Sequence, residues 1–415
     1  MYGETNGNDL ELLSMTLLRR ARSARALTRL AGSRVLAVAW FGFAYACCTA
    51  PVVAQADVVS PPGGPTAFAY RTFNFSASFS PVVRRAPQWV RIARVDARLT
   101  SKDIGLVINS ADPYSVAVGE FYIKARKLTP AQVMRVTLPV RATLTPEEFK
   151  IFSATVDSAF GGAVQALALA WTVPYAVNCN SITAALTLGY DPSVCENTCA
   201  PSKRSPYFDA ATVRPYSDLK LRPSMLLAAD DVTTAKAMIS RGVQADGSLG
   251  LLGSPPVNAY FVTTDDRARS ARTPYFPPPG LLRRWGVDVH VETTQVVHDV
   301  QRVLLYETGL AQVGQLDTVK WVPGALADHL TSFGGQLDGG SGQMSILAWI
   351  ASGATASYGT VSEPCSHPQK FPHPQVLLLN YLHGASAIEA YWKSVAWPQQ
   401  GVFVGEPLAA PFAHR

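Results

Sequence analysis

The stretch from residue 329 to residue 407 decides the fold of this chain, and small residues dominate it. It contains four segments: His329-Leu-Thr-Ser-Phe-Gly-Gly335, Ser352-Gly-Ala-Thr-Ala-Ser-Tyr-Gly-Thr-Val-Ser-Glu-Pro364, Gly384-Ala-Ser-Ala-Ile-Glu-Ala-Tyr-Trp392 and Val404-Gly-Glu-Pro407. So many glycines in one stretch indicate that its backbone packs closely against another backbone segment or against a ligand. We therefore expect close backbone packing in the closing half of a domain, around a candidate ligand position.

Upstream of this stretch, short apolar runs alternate with helical patterns. Strands are predicted at 104–108, 133–138, 166–171, 224–228, 257–263 and 287–291. The capping box Thr145-Pro-Glu-Glu148 opens a helix that reaches Phe160, and Asp231 caps a helix that we expect to end at Arg241-Gly242. A second capping box, Ser386-Ala-Ile-Glu389, opens a late helix. This alternation predicts an α/β fold, with a mostly parallel sheet flanked by helices on both faces.

Composition and charge exclude several classes of protein. With 415 residues, 48% hydrophobic and 16% charged, the chain can bury a large core. The formal charge of +6 falls to +3 without residues 1–56, because six arginines and three acidic residues lie there. The remaining charge gives no electrostatic reason to expect nucleic acid as a partner.

The N-terminal residues have the pattern of a secretory signal. An Arg-rich segment at 17–34 precedes an apolar run at 35–46, and Ala54-Gln-Ala56 offers small residues for cleavage near Asp57. We predict a signal peptide at 1–56, with Met1 or Met15 as the start, and export to the periplasm, the cell surface or the medium. A Pro-rich linker follows at 57–100. The α/β domain then spans 101–415, as one unit or as two intimate halves, 101–220 and 221–415, with no membrane span in the mature chain.

Four cysteines remain after the predicted cleavage: Cys179, Cys195, Cys199 and Cys365. An even number in an exported chain favours two disulfides. Three connectivities are open, and we favour a bridge within the first three cysteines, with the remaining one reaching Cys365. The alternative is a zinc site, for which His367 would add an imidazole. Because classical sites use two closely spaced pairs and only one is present, we expect no metal and no cofactor.

In a doubly wound sheet, ligands bind beyond the carboxyl ends of strands. Binding candidates at such positions are Asn109, Trp171, Asp265 and Asp266, and the glycine-rich stretch adds Gly334, Gly335 and Tyr358. Each has a structural alternative as well. Asn109 is a common turn residue that caps its own backbone, and the Asp265-Asp266 pair beside several arginines is typical of a solvated loop.

Several catalytic motifs are absent from the sequence. It contains no Gly-x-x-x-x-Gly-Lys phosphate loop, no His-Glu-x-x-His and no Gly-x-Ser-x-Gly. Glu363, after the glycine-rich turn, is the single acid that we consider for a chemical role. Its alternative is a carboxylate that tethers the loop.

Taken together, the motifs resemble a family of exported bacterial proteins, of unassigned activity, that occurs in species with exosortase protein-sorting systems. The resemblance covers residues 103–412. It is carried by Asn109 with Asp112-Pro113 and Ser115, Trp171-Thr-Val-Pro-Tyr175, Pro223-Ser-Met225, Thr264-Asp-Asp-Arg267, the block 352–364, and Glu389-Ala-Tyr-Trp392 with Gly405-x-Pro407. It implies export and an association with protein sorting, and no reaction.

More distantly, the order of elements is similar to that of gingipain-like and caspase-like cysteine peptidases. Asp328-His329 lies where their His-Gly loop would be, and Gly353-Ala354 to Gly359 resembles their later strand. The resemblance implies a caspase-like arrangement of the sheet. The chain departs from it in that Leu330 follows His329, no cysteine lies between His329 and Gly353, and Glu406 stands where the relatives carry Asp.

Two functions of different classes follow. The favoured one is a non-catalytic or divergent caspase-like protein that binds a peptide or an envelope protein partner along its strand ends. The alternative is a peptidase-like hydrolase that uses His329 with Ser332 or Thr331, or Cys365 with His367, in place of the missing dyad. A purely structural role in the envelope is a third option. The sequence leaves the oligomeric state open.

Overall fold

The computed structural model describes residues 88–95 and 97–413. The predicted signal peptide, residues 1–56, lies outside the described residues, as does most of the predicted linker. The described part of that linker, 88–95 and 97–100, contains neither helix nor strand.

Strands and helices then alternate along the chain. The strands are β1 Ile104–Asn109, β2 Val133–Val136, β3 Thr143–Leu144, β4 Ala166–Leu169, β5 Ala176–Val177, β6 Asn180–Ser181, β7 Ser224–Leu226, β8 Val257–Thr263, β9 Gly280–Leu282, β10 Val287–Thr293, β11 Val303–Thr308, β12 Trp321–His329, β13 Ala356–Thr360 and β14 Gly401–Gly405. The helices are α1 Pro113–Arg126, α2 Pro146–Ala159, α3 Ile182–Leu188, α4 Ser193–Glu196, α5 Pro215–Leu219, α6 Val232–Ala245, α7 Leu347–Ser352, α8 Pro374–Leu382 and α9 Ala387–Ser394.

Eleven strands form one sheet in the order β2-β1-β4-β7-β14-β13-β12-β11-β8-β10-β9, which takes strands from both predicted halves. The pairs β13–β14 and β9–β10 are antiparallel, and the other neighbours in the sheet are parallel. The predicted α/β fold with a mostly parallel sheet is therefore confirmed. Strands β3, β5 and β6 form a small second sheet.

Helices cover both faces of the sheet, as predicted. All six residues of β1 are buried, which requires a cover on each face. On one face, a Cβ added to Gly119 of α1 would lie 2.6 Å from Ile108 Cδ1. On the other face, a Cβ added to Gly105 would lie 3.0 Å from the ring of Phe160, the residue that caps α2. Since Gly105 and Ile108 point to opposite faces, α1 and α2 lie on opposite sides of β1.

The antiparallel pair β13–β14 joins two parallel blocks that run in opposite directions. Strands β2, β1, β4, β7 and β14 run one way, and β13, β12, β11, β8 and β10 run the other way. We call the β13–β14 pair the seam. Its register places Ala356 opposite Gly405, Tyr358 opposite Phe403 and Thr360 opposite Gly401. The carboxyl ends of the two blocks therefore lie at opposite edges of the sheet.

Glycine is required at the seam because side chains fill the space above it. A Cβ on Gly401 would lie 2.0 Å from Tyr358 Oη. The Tyr358 ring packs edge-on against Phe403 with 4.9 Å between ring centroids, and its hydroxyl donates to Lys370 O at 2.5 Å. The expectation of close backbone packing in the glycine-rich stretch is thus met at the seam.

Immediately after β14, a buried ion pair ties the seam to the helices above it. Arg126 of α1 donates to both carboxylate oxygens of Glu406, from Nε to Oε1 at 2.9 Å and from Nη2 to Oε2 at 2.5 Å. The Tyr122 hydroxyl donates to Glu406 Oε1 at 3.0 Å, and the Glu406 side chain is fully buried. Three charge-assisted hydrogen bonds offset the desolvation of this carboxylate.

Glu406 also explains why the predicted end of helix α6 at Arg241-Gly242 is wrong. Helix α6 begins after the Asp231 cap as predicted, but it continues through Gly242 to Ala245. A Cβ at position 242 would lie 2.5 Å from Glu406 Cγ. Gly242 therefore makes room for Glu406 inside the helix and does not end it.

Other local predictions are confirmed in their main features. Both capping boxes are present, at Thr145 with Glu148 and at Ser386 with Glu389. Strands β11 and β12 had no predicted counterpart. In β12 the pair Pro323-Gly324 interrupts the apolar pattern, and proline and glycine in sequence usually indicate a loop.

We predict that Gly401→Ala destabilises the protein. Overpacking against Tyr358 should lower the free energy of unfolding by about 1–3 kcal/mol, as measured by urea denaturation. The matched control is Gly314→Ala at an exposed position, where an added Cβ has no heavy atom within 4 Å. It should change the free energy of unfolding by less than about 0.5 kcal/mol. Equal stability of the two variants would contradict this account of the seam.

Candidate functional site

The predicted site residues fall at two opposite edges of the sheet. Asn109 ends β1 and Trp171 follows β4, both in the first block. In the second block, Asp265 and Asp266 follow β8 and the loop 330–335 follows β12. Because the seam reverses the strand direction, the carboxyl ends of the two blocks do not meet. The structure thus separates candidates that the sequence grouped together.

At the first edge, Asn109 and Trp171 are wholly buried and hydrogen-bonded within the protein. Asn109 Oδ1 accepts from Leu138 N at 2.9 Å, and its Nδ2 donates to Leu138 O at 3.1 Å. Trp171 Nε1 donates to Pro174 O at 2.9 Å. Polar atoms that are satisfied in this way need no ligand, and both side chains serve to hold loops in place.

At the second edge, His329 ends β12 and is completely buried. Its Nδ1 accepts from the indole N–H of Trp349 at 2.9 Å, and its Nε2 lies 3.1 Å from Met344 O. Since the indole only donates and the carbonyl only accepts, the ring is the neutral Nε2–H tautomer. Desolvation lowers the pKa of His329 to about 3, with smaller contributions from Arg272 and Arg269, and the hydrogen bond to Met344 opposes the shift. Neither ring nitrogen has a free lone pair for a nucleophile.

The nucleophile candidates near His329 have other partners. The Thr331 hydroxyl donates to Gln343 Oε1 at 2.6 Å and accepts from Arg269 Nε at 3.1 Å. Ser332 is half-buried, and its carbonyl accepts from the Thr360 hydroxyl at 2.9 Å. Neither hydroxyl is hydrogen-bonded to His329 in the described residues. A Ser–His or Thr–His dyad needs such a contact.

Cys365 is oxidised and offers no thiolate. The structure pairs Cys179 with Cys195 and Cys199 with Cys365, each with Cα atoms 5.2 Å apart. This connectivity agrees with the favoured prediction. The pairing removes the thiol that the Cys365–His367 alternative needs, and it also occupies the four sulfurs of the zinc alternative. The described residues contain no group of three or more His, Cys, Asp or Glu side chains that could hold a metal ion.

Four more predicted residues of the glycine-rich stretch support the local structure. Glu363 Oε1 accepts from Cys365 N at 2.7 Å, so this carboxylate tethers its own loop. Tyr358 lies in the core at the seam. Gly334 and Gly335 pack against β13, where a Cβ on Gly359 would lie 2.7 Å from Gly335 N.

The second edge also carries a group of four polar side chains, three of which are partly exposed. Arg269 is the centre of this group, which we call the strand-end cluster: Asp266, Arg269, Thr331 and Gln343. Arg269 Nη1 lies 2.7 Å from Asp266 Oδ2, and both side chains are about a quarter exposed, at 26% and 25%. Hydrogen bonds from Arg269 lower the pKa of Asp266 against the opposing effect of partial burial.

The cluster is rich in unused hydrogen-bond donors. Gln343 Oε1 accepts from Phe333 N at 3.0 Å and from the Thr331 hydroxyl at 2.6 Å, so both of these contacts use the amide oxygen. Among the described residues, Arg269 Nη2 and Gln343 Nε2 have no acceptor, and neither is a fully buried atom. Asp265 is exposed beside the cluster. The sequence indicated Asp266 and the neighbouring arginines. Nothing in it linked Arg269 to Thr331 or Gln343, which both lie on the loop between β12 and α7.

A second polar group lies on the opposite face of the sheet from His329. Arg272 is within 2.6 Å of Asp328 Oδ1 and 3.2 Å of Glu307 Oε2, and all three side chains are buried. Desolvation raises the pKa of Glu307 and of Asp328, although Arg272 opposes both shifts. Because Asp328 and His329 are consecutive in β12, their side chains point to opposite faces. The buried acids therefore cannot orient the imidazole as the third member of a triad.

Fold and site define an α/β protein with two disulfides, a buried neutral histidine at the position of the catalytic candidate His329, and a cluster of hydrogen-bond donors at one sheet edge. No protein-family model matches this chain, and neither does any curated protein or solved structure. In the described part of the chain, no helix is both long and apolar enough to cross a lipid bilayer.

We predict that His329 does not titrate between pH 8 and pH 5. Its pKa of about 3 lies below the ordinary value of 6.5, so the unfolded chain binds the proton first as the pH falls. The contribution of this group to the free energy of unfolding is therefore lost as the pH falls from about 6.5 towards 3. Nitrogen chemical shifts of the imidazole would report the Nε2–H tautomer throughout. A titration midpoint near the ordinary value would contradict the assignment.

The disulfides give a second prediction. Mass spectrometry of a non-reduced digest should find Cys179 linked to Cys195 and Cys199 linked to Cys365. In Cys365→Ser, Cys199 should become the free thiol that reacts with iodoacetamide, whereas Cys195→Ser should free Cys179. Reduction should cost about 2–5 kcal/mol of stability per bridge. A peptide containing Cys179 linked to Cys199 would contradict the pairing.

Proposed function

We propose that this protein is an exported, non-catalytic binding protein that takes an extended peptide segment of an envelope partner at the strand-end cluster. The observation that carries the proposal is the state of His329. It is buried, neutral and hydrogen-bonded through both nitrogens, so it cannot act as the base of a peptidase. The oxidation of Cys365 supports the same reading.

The chemistry of the cluster favours a ligand that presents acceptors. Arg269 Nη2 and Gln343 Nε2 are donors, and the Ser332 hydroxyl beside them has no hydrogen bond within the described residues. Backbone carbonyls and a carboxylate are the acceptors that such donors bind. Phe333 is half-buried next to them and offers an apolar contact. An extended peptide with a carboxylate, on a side chain or at its C-terminus, meets these requirements.

Arg269 is already positioned for this role. Its Nε and Nη1 are held by Thr331 and Asp266, which leaves the Nη2 edge of the planar guanidinium directed elsewhere. A guanidinium held at two positions loses little entropy when it binds a third group. Asp266 and Thr331 are therefore positioning residues in this proposal, and Arg269 is the residue that contacts the partner.

Export and the association with protein sorting complete the proposal. The leader sequence supports export, and the two disulfides are typical of proteins that fold in an oxidising compartment. An association with exosortase-type sorting rests on the sequence resemblance alone. The caspase-like arrangement of the sheet rests on the same kind of likeness.

The test is a binding measurement on the full chain expressed for export. A library of extended peptides with free C-terminal carboxylates, each with an amidated counterpart, would be screened by fluorescence polarisation. For the peptides that bind, Arg269→Gln should weaken the affinity at least about tenfold, the loss expected for a charge-assisted hydrogen bond. Arg267→Gln is the matched control, because it removes the same charge two residues away from an exposed position.

Two results would contradict the proposal. Equal affinities of Arg269→Gln and the unaltered protein would show that the cluster does not contact the peptide. Hydrolysis of the peptides, or labelling by a hydroxyl-directed phosphonate probe that Ser332→Ala abolishes, would instead support the hydrolase alternative.

A further inference from the structure

A groove lies beside the first block of the sheet, between helix α2, the end of α3 and the segment 216–222. Its volume is about 670 Å³, within the range of roughly 300–1,000 Å³ that is typical of small-molecule sites. The residues that line it lie between Pro146 and Arg222, a range that the structure describes without a gap. The groove is thus separate from the strand-end cluster, which belongs to the second block.

Tyr216 lines the groove with a ring whose position is fixed by Arg222. The guanidinium carbon of Arg222 lies 3.5 Å from the centroid of that ring. Arg222 itself is buried, and it donates from Nη2 to Phe160 O at 2.6 Å and from Nε to Val164 O at 3.2 Å. A third contact, also of 3.2 Å, joins its Nη1 to Asp157 Oδ1. The cation–π contact therefore holds the half-buried Tyr216 ring in place before any ligand binds.

The polar groups of the groove include both hydrogen-bond donors and acceptors. Glu147 and Lys150 are exposed on α2, and Tyr216 adds its hydroxyl. Within the part of the chain that the structure describes, the Glu147 carboxylate, the Lys150 ammonium and the Tyr216 hydroxyl have no hydrogen-bond partner, and none of them is a fully buried group. All three are therefore available to a ligand in the groove.

The remaining lining restricts the kind of ligand. Leu186 and Leu188, both half-buried at the end of α3, give the groove an apolar wall. A strongly anionic ligand would meet Glu147, and a strongly cationic one would meet Lys150 and Lys220. None of the described lining residues belongs to a strand, so the groove lacks the edge that would pair with an extended peptide. A neutral ligand that both donates and accepts hydrogen bonds fits best.

We propose that this groove binds a carbohydrate chain, with one sugar ring packed against Tyr216 and sugar hydroxyls bonded to Glu147 and Lys150. A hydroxyl donates one hydrogen bond and accepts others, so neighbouring hydroxyls of one sugar can use a carboxylate and an ammonium together. The C–H groups of the sugar ring are apolar and pack against an aromatic ring that carries a polar group at its end. This site does not depend on the function proposed for the strand-end cluster.

The test is a binding measurement on the full chain expressed for export. Fluorescently labelled protein would be applied to an array of bacterial and plant polysaccharides, and calorimetric titration would measure its affinity for a soluble oligosaccharide of each one that binds. We expect at least one neutral polysaccharide to bind. Tyr216→Ala should weaken that binding at least about tenfold, whereas Tyr216→Phe, which keeps the ring and its contact with Arg222, should weaken it less than about fivefold.

Lys150→Gln tests the site without altering the core, because Lys150 is exposed, and it should weaken binding about threefold or more. Lys124→Gln is the matched control. It removes the same charge from an exposed position of α1, on the opposite face of the sheet from α2, and should leave the affinity unchanged. Absence of binding to every polysaccharide of the array would overturn the proposal. So would an affinity of Tyr216→Ala equal to that of the unaltered protein, equal affinities of Lys150→Gln and Lys124→Gln, or binding of peptides in place of polysaccharides with the same dependence on Tyr216.

Discussion

The antiparallel pairing of β13 with β14 is the constraint on which the rest of the structure depends. It joins two parallel blocks whose strands run in opposite directions, so that the carboxyl ends of the strands lie at both edges of one sheet of eleven strands. The pairing is close because Gly401 leaves room for the Tyr358 hydroxyl. The contact between Tyr358 and Phe403 and the stacking of Trp392 on Phe403 at 4.3 Å then fill the space around the seam. Side chains larger than glycine would separate the two blocks at this point.

Buried acidic side chains near this seam have two different kinds of environment. Glu406 receives three hydrogen bonds from Arg126 and Tyr122, so the carboxylate is well satisfied and ties α1 to the end of β14. Glu307 and Asp328 share a single guanidinium, that of Arg272, and desolvation raises the pKa of both acids. In the first arrangement both carboxylate oxygens have hydrogen-bond donors. In the second, burial disfavours the charged forms of two acids that share one cation.

The histidine at the end of β12 has a structural environment and not the one that the hydrolase alternative requires. His329 occupies the position that the distant likeness to cysteine peptidases indicates, yet Trp349 and Met344 use both of its ring nitrogens. What remains accessible is a set of donors on Arg269 and Gln343.

The sequence by itself determined the features that depend on neighbouring residues. The capping boxes at Thr145 and Ser386, the buried strands at 104–108 and 257–263 and the α/β class follow from local hydrogen bonding and from apolar periodicity, and all were predictable. Only the tertiary structure decided the features that depend on distant contacts. Gly242 leaves room for the Glu406 side chain and does not end its helix. Asn109 and Trp171 lie at the opposite edge of the sheet from Asp266, because one antiparallel pair reverses the strand direction. Likewise, Arg269, Thr331 and Gln343 form one cluster because the loops after the parallel strands β8 and β12 converge, and no spacing along the chain encodes that convergence.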